Sequence, residues 1–320
     1  MKKIWIDTDP GVDDAVAIAM LLEAKDKIQF VGASTVFGNV DVDQTTRNAR
    51  LLFQAGGLGD LPIARGASGP LGILRETAPY VHGDNGLGNM ELAEPTMPVN
   101  ALTAPQAIIN MILKHPHEIT LFPIGPLTNI AMAYLLEPTI TALVKEVVIM
   151  GGAVFSPGNI TPAAEANFYH DPHAAQIVIR AGWPIVLAGL DVMQYGVVPQ
   201  ETLNRICAAK KPLTPYIAGA LPFFKKFSEL VDGEGMVFFP DTLAAGYLLA
   251  PEIYTLEETR LYVETAGACK GQSLPVNRQR WFEIEGDDRV FDADSNLGLV
   301  NVMTKVDKGK FLALMEKLLT

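Results

Sequence analysis

Histidine runs out early in this chain: the five lie at positions 82, 115, 117, 170 and 173, and none follows His173. Any later chemistry that needs a group titrating near neutral pH must proceed without imidazole. Cysteine is scarcer still. Cys207 and Cys269 stand far apart, too few for a disulfide framework or a zinc site, which fits a reducing compartment. Positive charge is also short, with 25 Lys and Arg against 36 Asp and Glu and a formal net charge of −11. Nucleic-acid backbones are held by basic residues that neutralise phosphates, so no nucleic-acid partner is expected. No uninterrupted apolar run approaches a membrane span. Met1-Lys2-Lys3 precedes only three apolar residues before Asp7, too short a run for a secretory signal. The expected address is the cytoplasm, without a membrane partner.

What is present is globular. Hydrophobic residues make up 49% of the 320 and charged residues 19%, ample for a buried core. The organising stretch is Ile4-Trp5-Ile6-Asp7-Thr8-Asp9-Pro10-Gly11-Val12-Asp13-Asp14. An apolar strand ends among two carboxylates, a Pro-Gly turn follows, and two more carboxylates open an apolar helical segment. One Asp would serve as a helix cap. Four within eight residues repel one another and call for a counter-charge. The stretch has no Lys or Arg, so it is not a phosphate-binding loop. A hard divalent cation held by carboxylate oxygens, most naturally calcium, fits better.

Further along, a second strand is expected over Phe30–Phe37, ending at Gly38-Asn39. A helix is expected over Thr45–Phe53 and a short strand over Leu61–Ala64. Gly66 to Pro98 reads as one long Gly- and Pro-punctuated loop carrying His82, and loops of that length are more often functional than idle. Helix Ala104–Lys114, strand Ile119–Ile124, helix Leu127–Leu136 and strand Val144–Met150 follow, then an irregular stretch from Ala153 to Tyr169. Helix Pro172–Ala181 and strand Pro184–Leu190 repeat the rhythm. Two helices are expected between Pro199 and Gly235, the second rich in Phe223, Phe224 and Phe227, which read as helix packing. Another helix spans Thr242–Leu249, strands fall near Leu261–Glu264 and Trp281–Ile284, and a helix closes the chain over Gly309–Leu319.

Apolar strands alternating with helices predict an α/β fold: a single domain over 1–320, doubly wound, with a mainly parallel sheet flanked by helices. Ligands of such sheets bind beyond the carboxyl ends of the strands, which gathers Asp9, Asn39, Ile124 and Met150 on one rim. Taken singly, Asn39 and Asn159 read as turn residues, Met150 as core, and Glu165 and Asn167 as solvated groups. The recurrence of polar residues at strand ends is what points to one composite site.

The segment Asp7-Thr8-Asp9-Pro10-Gly11-Val12-Asp13-Asp14-Ala15 resembles the amino-terminal signature of the inosine–uridine-preferring nucleoside hydrolases. Gly38-Asn39, His82-Gly83, Gly125-Pro126-Leu127-Thr128-Asn129, Met150-Gly151-Gly152, Asn159, Glu165-Ala166-Asn167 and Asp171-Pro172 follow in the family's order. The resemblance implies hydrolysis of the N-glycosidic bond of a small-molecule ribonucleoside. It implies a calcium ion held by Asp9, Asp14, Asp241 and the Ile124 carbonyl, with Asp9 as base. Asp13, Asn39, Met150, Asn159, Glu165 and Asn167 would contact the substrate, and the assembly would be a homodimer or homotetramer.

One position departs from the pattern. Many members carry His before the last metal-ligating Asp, proposed to protonate the leaving base, whereas here the pair is Pro240-Asp241. His82 is the expected substitute in the catalytic set, with Tyr169, His170 or a residue of 215–235 as alternatives. A non-catalytic nucleoside or ribose sensor and a hydrolase of activated ribosides both stay open. Asp7-Thr8-Asp9 also resembles the nucleophile loop of haloacid-dehalogenase phosphohydrolases, but Gly11 stands where that family expects Thr or Val.

Overall fold

The computed structural model describes residues 1–276 and 297–320. The first half alternates strictly: β1 (Lys2–Thr8), α1 (Val12–Glu23), β2 (Ile28–Thr35), α2 (Val42–Ala55) and β3 (Ile63–Arg65). A short helix α3 (Pro79–His82) interrupts the long loop. Then come α4 (Ala104–Lys114), β4 (Ile119–Pro123), α5 (Thr128–Leu136), β5 (Glu146–Met150), α6 (Ala166–His170), α7 (Pro172–Arg180) and β6 (Ile185–Ala188). The remainder holds α8 (Gln200–Ala208), α9 (Thr214–Asp232), α10 (Pro240–Leu249), β7 (Tyr254–Val263), β8 (Ser273–Val276), β9 (Gly298–Val306) and α11 (Lys308–Leu319).

The strands form one sheet in the order β3-β2-β1-β4-β5-β6-β9-β7-β8. From β3 to β9 every pairing is parallel, and β7 runs antiparallel to both β9 and β8. The expected doubly wound, mainly parallel α/β sheet is what the chain builds. Successive side chains explain why it needs helices on both faces. Ile4 and Ile6 of β1 enter one core while Trp5 enters the other, and Val148 and Ile149 of β5 part in the same way. Alternate residues of a strand point to opposite faces, so an uninterrupted apolar strand demands two apolar layers. One layer includes α1, α10 and α11; the other includes α4, α5 and α7.

Chain order reverses between β1 and β4, since β2 and β3 extend the sheet one way and β5 and β6 the other. Such a switch point opens a crevice beyond the strand ends. Asp9 follows β1 and Ile124 follows β4, so the expected rim residues stand at this crevice.

Two points of the expected layout need amendment, and a third is untested. The strand expected near Leu261–Glu264 begins at Tyr254, because its exposed polar middle hides the alternation that marks a strand. β9 was not anticipated; it inserts beside β6 and carries the antiparallel end of the sheet. The strand expected over Trp281–Ile284 lies outside the described residues.

Candidate active site

Two helices bring acids to the crevice by their first turns. α1 carries Asp13 and Asp14, and α10 carries Asp241. Both helices are buried on nearly every side, so apolar packing rather than amphipathic patterning holds their N-termini here. Carboxylate oxygens of Asp13, Asp14 and Asp241 all lie within 4.8 Å of one another. The family resemblance implies Asp9 among the metal ligands and Asp13 on the substrate; in the structure Asp13 stands with Asp14 and Asp241, and Asp9 is close enough to Asp14 to feel its charge.

Each acid is aimed by a specific contact. Asp14 accepts from the Thr8 hydroxyl, from the Gly11 N–H at 2.9 Å and from the Asn39 side-chain amide at 3.1 Å. The Asp9 carboxylate is wedged between two glycines. A Cβ on Gly38 would lie 2.0 Å from Asp9 Oδ2, and one on Gly125 would lie 2.4 Å from Asp9 Oδ1. Asp13 Oδ1 is buried without a hydrogen-bond partner among the described residues. Burial raises the Asp9 and Asp241 carboxyls well above the usual range, reinforced by neighbouring Asp charges. Burial likewise pushes Asp13 and Asp14 up to about 6.

So much negative charge in one buried place is costly unless it is protonated or met by a cation. None of the cavity-lining residues among those described is Lys or Arg. An orphaned carboxylate oxygen beside two other acids is the donor set a hard divalent cation takes. The residues present therefore fit a metal ion.

The opposite wall is made by strand ends and α6. The Asn167 side-chain amide donates to the Ile124 carbonyl at 3.0 Å and to the Met150 carbonyl at 3.2 Å, tying β4 to β5. Glu165 caps α6: it accepts from the Asn167, Gly152 and Phe168 N–H groups at 2.9, 2.9 and 3.2 Å. Burial still raises its carboxyl to about 7, those donors opposing the shift. Asn159 Oδ1 accepts from the Ala166 N–H at 3.1 Å.

His82 reaches the site from α3. Its Nδ1 accepts the Val12 N–H at 3.2 Å and stands 3.7 Å from Asp13. Gly11 makes room for it, since a Cβ there would sit 2.6 Å from Nδ1. The loop that delivers His82 is clamped by α2. Asn48 donates to the Pro10 and Asn85 carbonyls at 3.1 and 2.8 Å, and Arg50 donates to the Met97 and Pro95 carbonyls.

All the sequence-predicted residues line one cavity of about 350 Å³: Asp9, Asp13, Asp14, Asn39, His82, Ile124, Met150, Asn159, Glu165, Asn167 and Asp241. Sequence reasoning missed Tyr80 and Met193 and assigned Phe224 and Phe227 to packing, yet all four also line it. A Phe pair three apart on α9, with Tyr80 in a long loop, was the available signal. Conversely, Asn129 and Asp171 of the family-like motifs do not line the cavity. Asn129 binds Asp7 and Thr35, and Asp171 accepts from Thr128 and Leu71.

A doubly wound sheet with a carboxylate-rich crevice at its switch point is the setting of a small-molecule site able to hold a hard cation. The comparisons narrow that description. A profile of the inosine-uridine preferring nucleoside hydrolases matches residues 4–313. Uridine nucleosidase 1 of Arabidopsis thaliana is 36% identical over 282 residues, covering 88% of this chain and 84% of the relative. The inosine-uridine preferring nucleoside hydrolase of Leishmania major is 37% identical over 270 residues, covering 83% and 85%. Among solved structures, a plant nucleoside hydrolase superposes with a TM-score of 0.92 at 30% identity, covering 100% of this chain and 99% of its own. The chain belongs to the inosine-uridine preferring nucleoside hydrolase family and is an N-ribosyl hydrolase.

Proposed function

We propose that this enzyme hydrolyses ribonucleosides to ribose and free base with calcium at the Asp9, Asp14 and Asp241 carboxylates and the Ile124 carbonyl. The observation that carries the reading is the uncompensated burial of Asp9, Asp14 and Asp241 together, with the unpartnered Asp13 oxygen beside them left free for a substrate hydroxyl. When bound, calcium supplies positive charge that lowers the pKa of a nearby water and attracts ribose hydroxyls. Asp9 takes the proton of the attacking water, its carboxylate steered by the Asn39 N–H at 2.8 Å. Asp13, Asn39, Asn159, Glu165 and Asn167 orient the ribose by hydrogen bonds, and Met150 lies beneath it. Charge builds on C1′ as the glycosidic bond stretches, and the surrounding carboxylates favour that oxocarbenium-like state. His82 contacts the base.

The test is ribose release from uridine, cytidine, inosine and adenosine, with and without a calcium chelator. Turnover that the chelator abolishes and calcium restores is the expected result. Retained calcium and ribose binding with no turnover would favour the sensor reading that Pro240 suggests.

We also propose that the chain works as one domain in a cytoplasmic homodimer or homotetramer. Two free cysteines and exposed Leu135 and Leu136 at the end of α5 support this. Light scattering across a dilution series tests the assembly.

A further inference from the structure

Beyond the polar floor that suits a ribose, the cavity continues along an aromatic wall. The His82 and Phe224 ring centres lie 5.6 Å apart, Phe224 stacks on Phe239 at 5.5 Å, and Tyr80 meets Phe227 at 5.8 Å. Phe239 is followed by Pro240 at the start of α10 and then by Asp241 of the acid cluster. The wall therefore abuts the carboxylates, and a base joined to a ribose on the polar floor would lie against it.

Protonating a leaving base requires an acid, and the groups around the wall are poorly suited to that task. Pro240 has no ionisable group. His82 Nδ1 accepts a main-chain N–H, so this imidazole is the neutral Nε2–H tautomer, a hydrogen-bond donor rather than an acid. Glu165, although burial raises its carboxyl to about 7, has both oxygens held by main-chain N–H groups of α6 and Gly152 and so is tied to the backbone rather than aimed at the wall. Tyr80 is 53% exposed at the rim, and burial and Glu76 raise its phenol further from an acid's range. His170 is buried and lowered to about 4, hence neutral near pH 7.

We propose that the preferred substrates are ribonucleosides whose base carries a fixed positive charge, such as N-alkylpurinium and pyridinium ribosides, seated on the Phe224–Phe227 wall. This rests on the ribonucleoside-hydrolase reading. An ordinary base leaves with the electron pair of the C1′–N bond and is an anion until protonated. A quaternised base accepts the same pair into its ring, loses its charge and departs neutral. Water adds its oxygen to C1′ and gives its proton to Asp9. Ribose, neutral base and one proton balance the reaction, and no acid is needed. The site also attracts such a cation. Aromatic faces favour positive charge, the floor carries Asp and Glu, and no Lys or Arg among the described residues lines the cavity.

The test compares inosine with 7-methylinosine in calcium-loaded enzyme, at a pH acidic enough to keep N1 of 7-methylinosine protonated, so that the pair differs in one methyl group and one charge. Leaving-group protonation contributes about a hundred- to ten-thousand-fold. The expected kcat/KM for 7-methylinosine therefore exceeds that for inosine at least about a hundredfold. Phe227→Leu, at a half-buried position that should fold normally, is expected to raise KM for both compounds and more for the cation, shrinking that ratio. A smaller wild-type ratio with inosine turned over, or a ratio unmoved in Phe227→Leu, overturns this proposal and leaves the hydrolase reading standing. Ribose release from neither compound overturns both.

Discussion

Asn39 grips Asp9 twice: its main-chain N–H donates to Asp9 Oδ2 at 2.8 Å, and its side-chain amide donates to the Asp9 carbonyl at 3.0 Å. The same amide donates to Asp14 Oδ2 at 3.1 Å. One residue after β2 thus orients two acids that follow β1. Asn39→Ala removes the side-chain bonds but keeps the main-chain one. Residues that orient metal ligands typically affect metal affinity or activity by about 10- to 100-fold. A loss in that range, in calcium affinity by calorimetry and in kcat/KM together, is expected.

Gly125→Ala isolates the aim of Asp9 from the supply of charge. The added methyl carbon would stand 2.4 Å from Asp9 Oδ1 and 3.0 Å from Val36. The carboxylate must swing away, and a misplacement of about 1 Å in a reacting group costs about a hundredfold in rate. Near-wild-type far-ultraviolet circular dichroism with at least that loss of kcat is the expected outcome. Unchanged kcat would show that Asp9 is not the base.

Asn129 is predicted to matter for stability rather than for substrate. Its amide nitrogen donates to Asp7 Oδ1 at 2.8 Å and to the Thr35 carbonyl at 2.9 Å, and its oxygen accepts from the Ala67 N–H at 2.9 Å. Asn129→Ala strands the Thr35 carbonyl and the half-buried Ala67 N–H, at about 1–3 kcal/mol for each group stranded, while Asp7 Oδ1 keeps the Ser34 hydroxyl. Denaturant titration should show a loss of about 3 kcal/mol or more. KM for nucleoside should move little in the protein that remains folded.

The pH dependence of stability should differ with and without the cation. Asp13 and Asp14 sit near 6 and Glu165 near 7 through burial, above the about 4 of an unfolded carboxyl. The folded chelated protein therefore binds more protons than the unfolded one between about pH 4 and 7, so its stability falls as pH rises through that window. Calcium needs deprotonated ligands, so its stabilisation grows with pH. Melting temperatures at pH 5, 6, 7 and 8, with calcium and with chelator, should diverge as pH rises. Parallel curves would count against a cation at this cluster.

Much of this site was legible before the fold was. Asp9, Asn39, Ile124 and Met150 were placed on one rim by a rule about strand ends, and that rim is where they stand. The roles of Asn159 and Glu165 were harder to read. Both serve partly as local backbone acceptors around α6, and an irregular sequence stretch carries no periodic signal of that. Tyr80 and Phe227 come from segments far apart in the chain and meet only through packing. β9 escaped notice because, although it lies inside the sheet between β6 and β7, its mixed burial lacks the uninterrupted apolar run of the other central strands.

The sequence by itself determined the alternation of strand and helix, the crowding of acids after β1 and the absence of a histidine near Asp241. Those are local facts, set by residue chemistry within one or two turns of chain. Only the tertiary structure decided which acids share a cluster, which motif residues face substrate and which merely brace the scaffold. It also turned a row of apparent packing phenylalanines into a cavity wall. Side chains distant in sequence become neighbours only when burial of two apolar layers against one sheet brings their helices to the same strand ends.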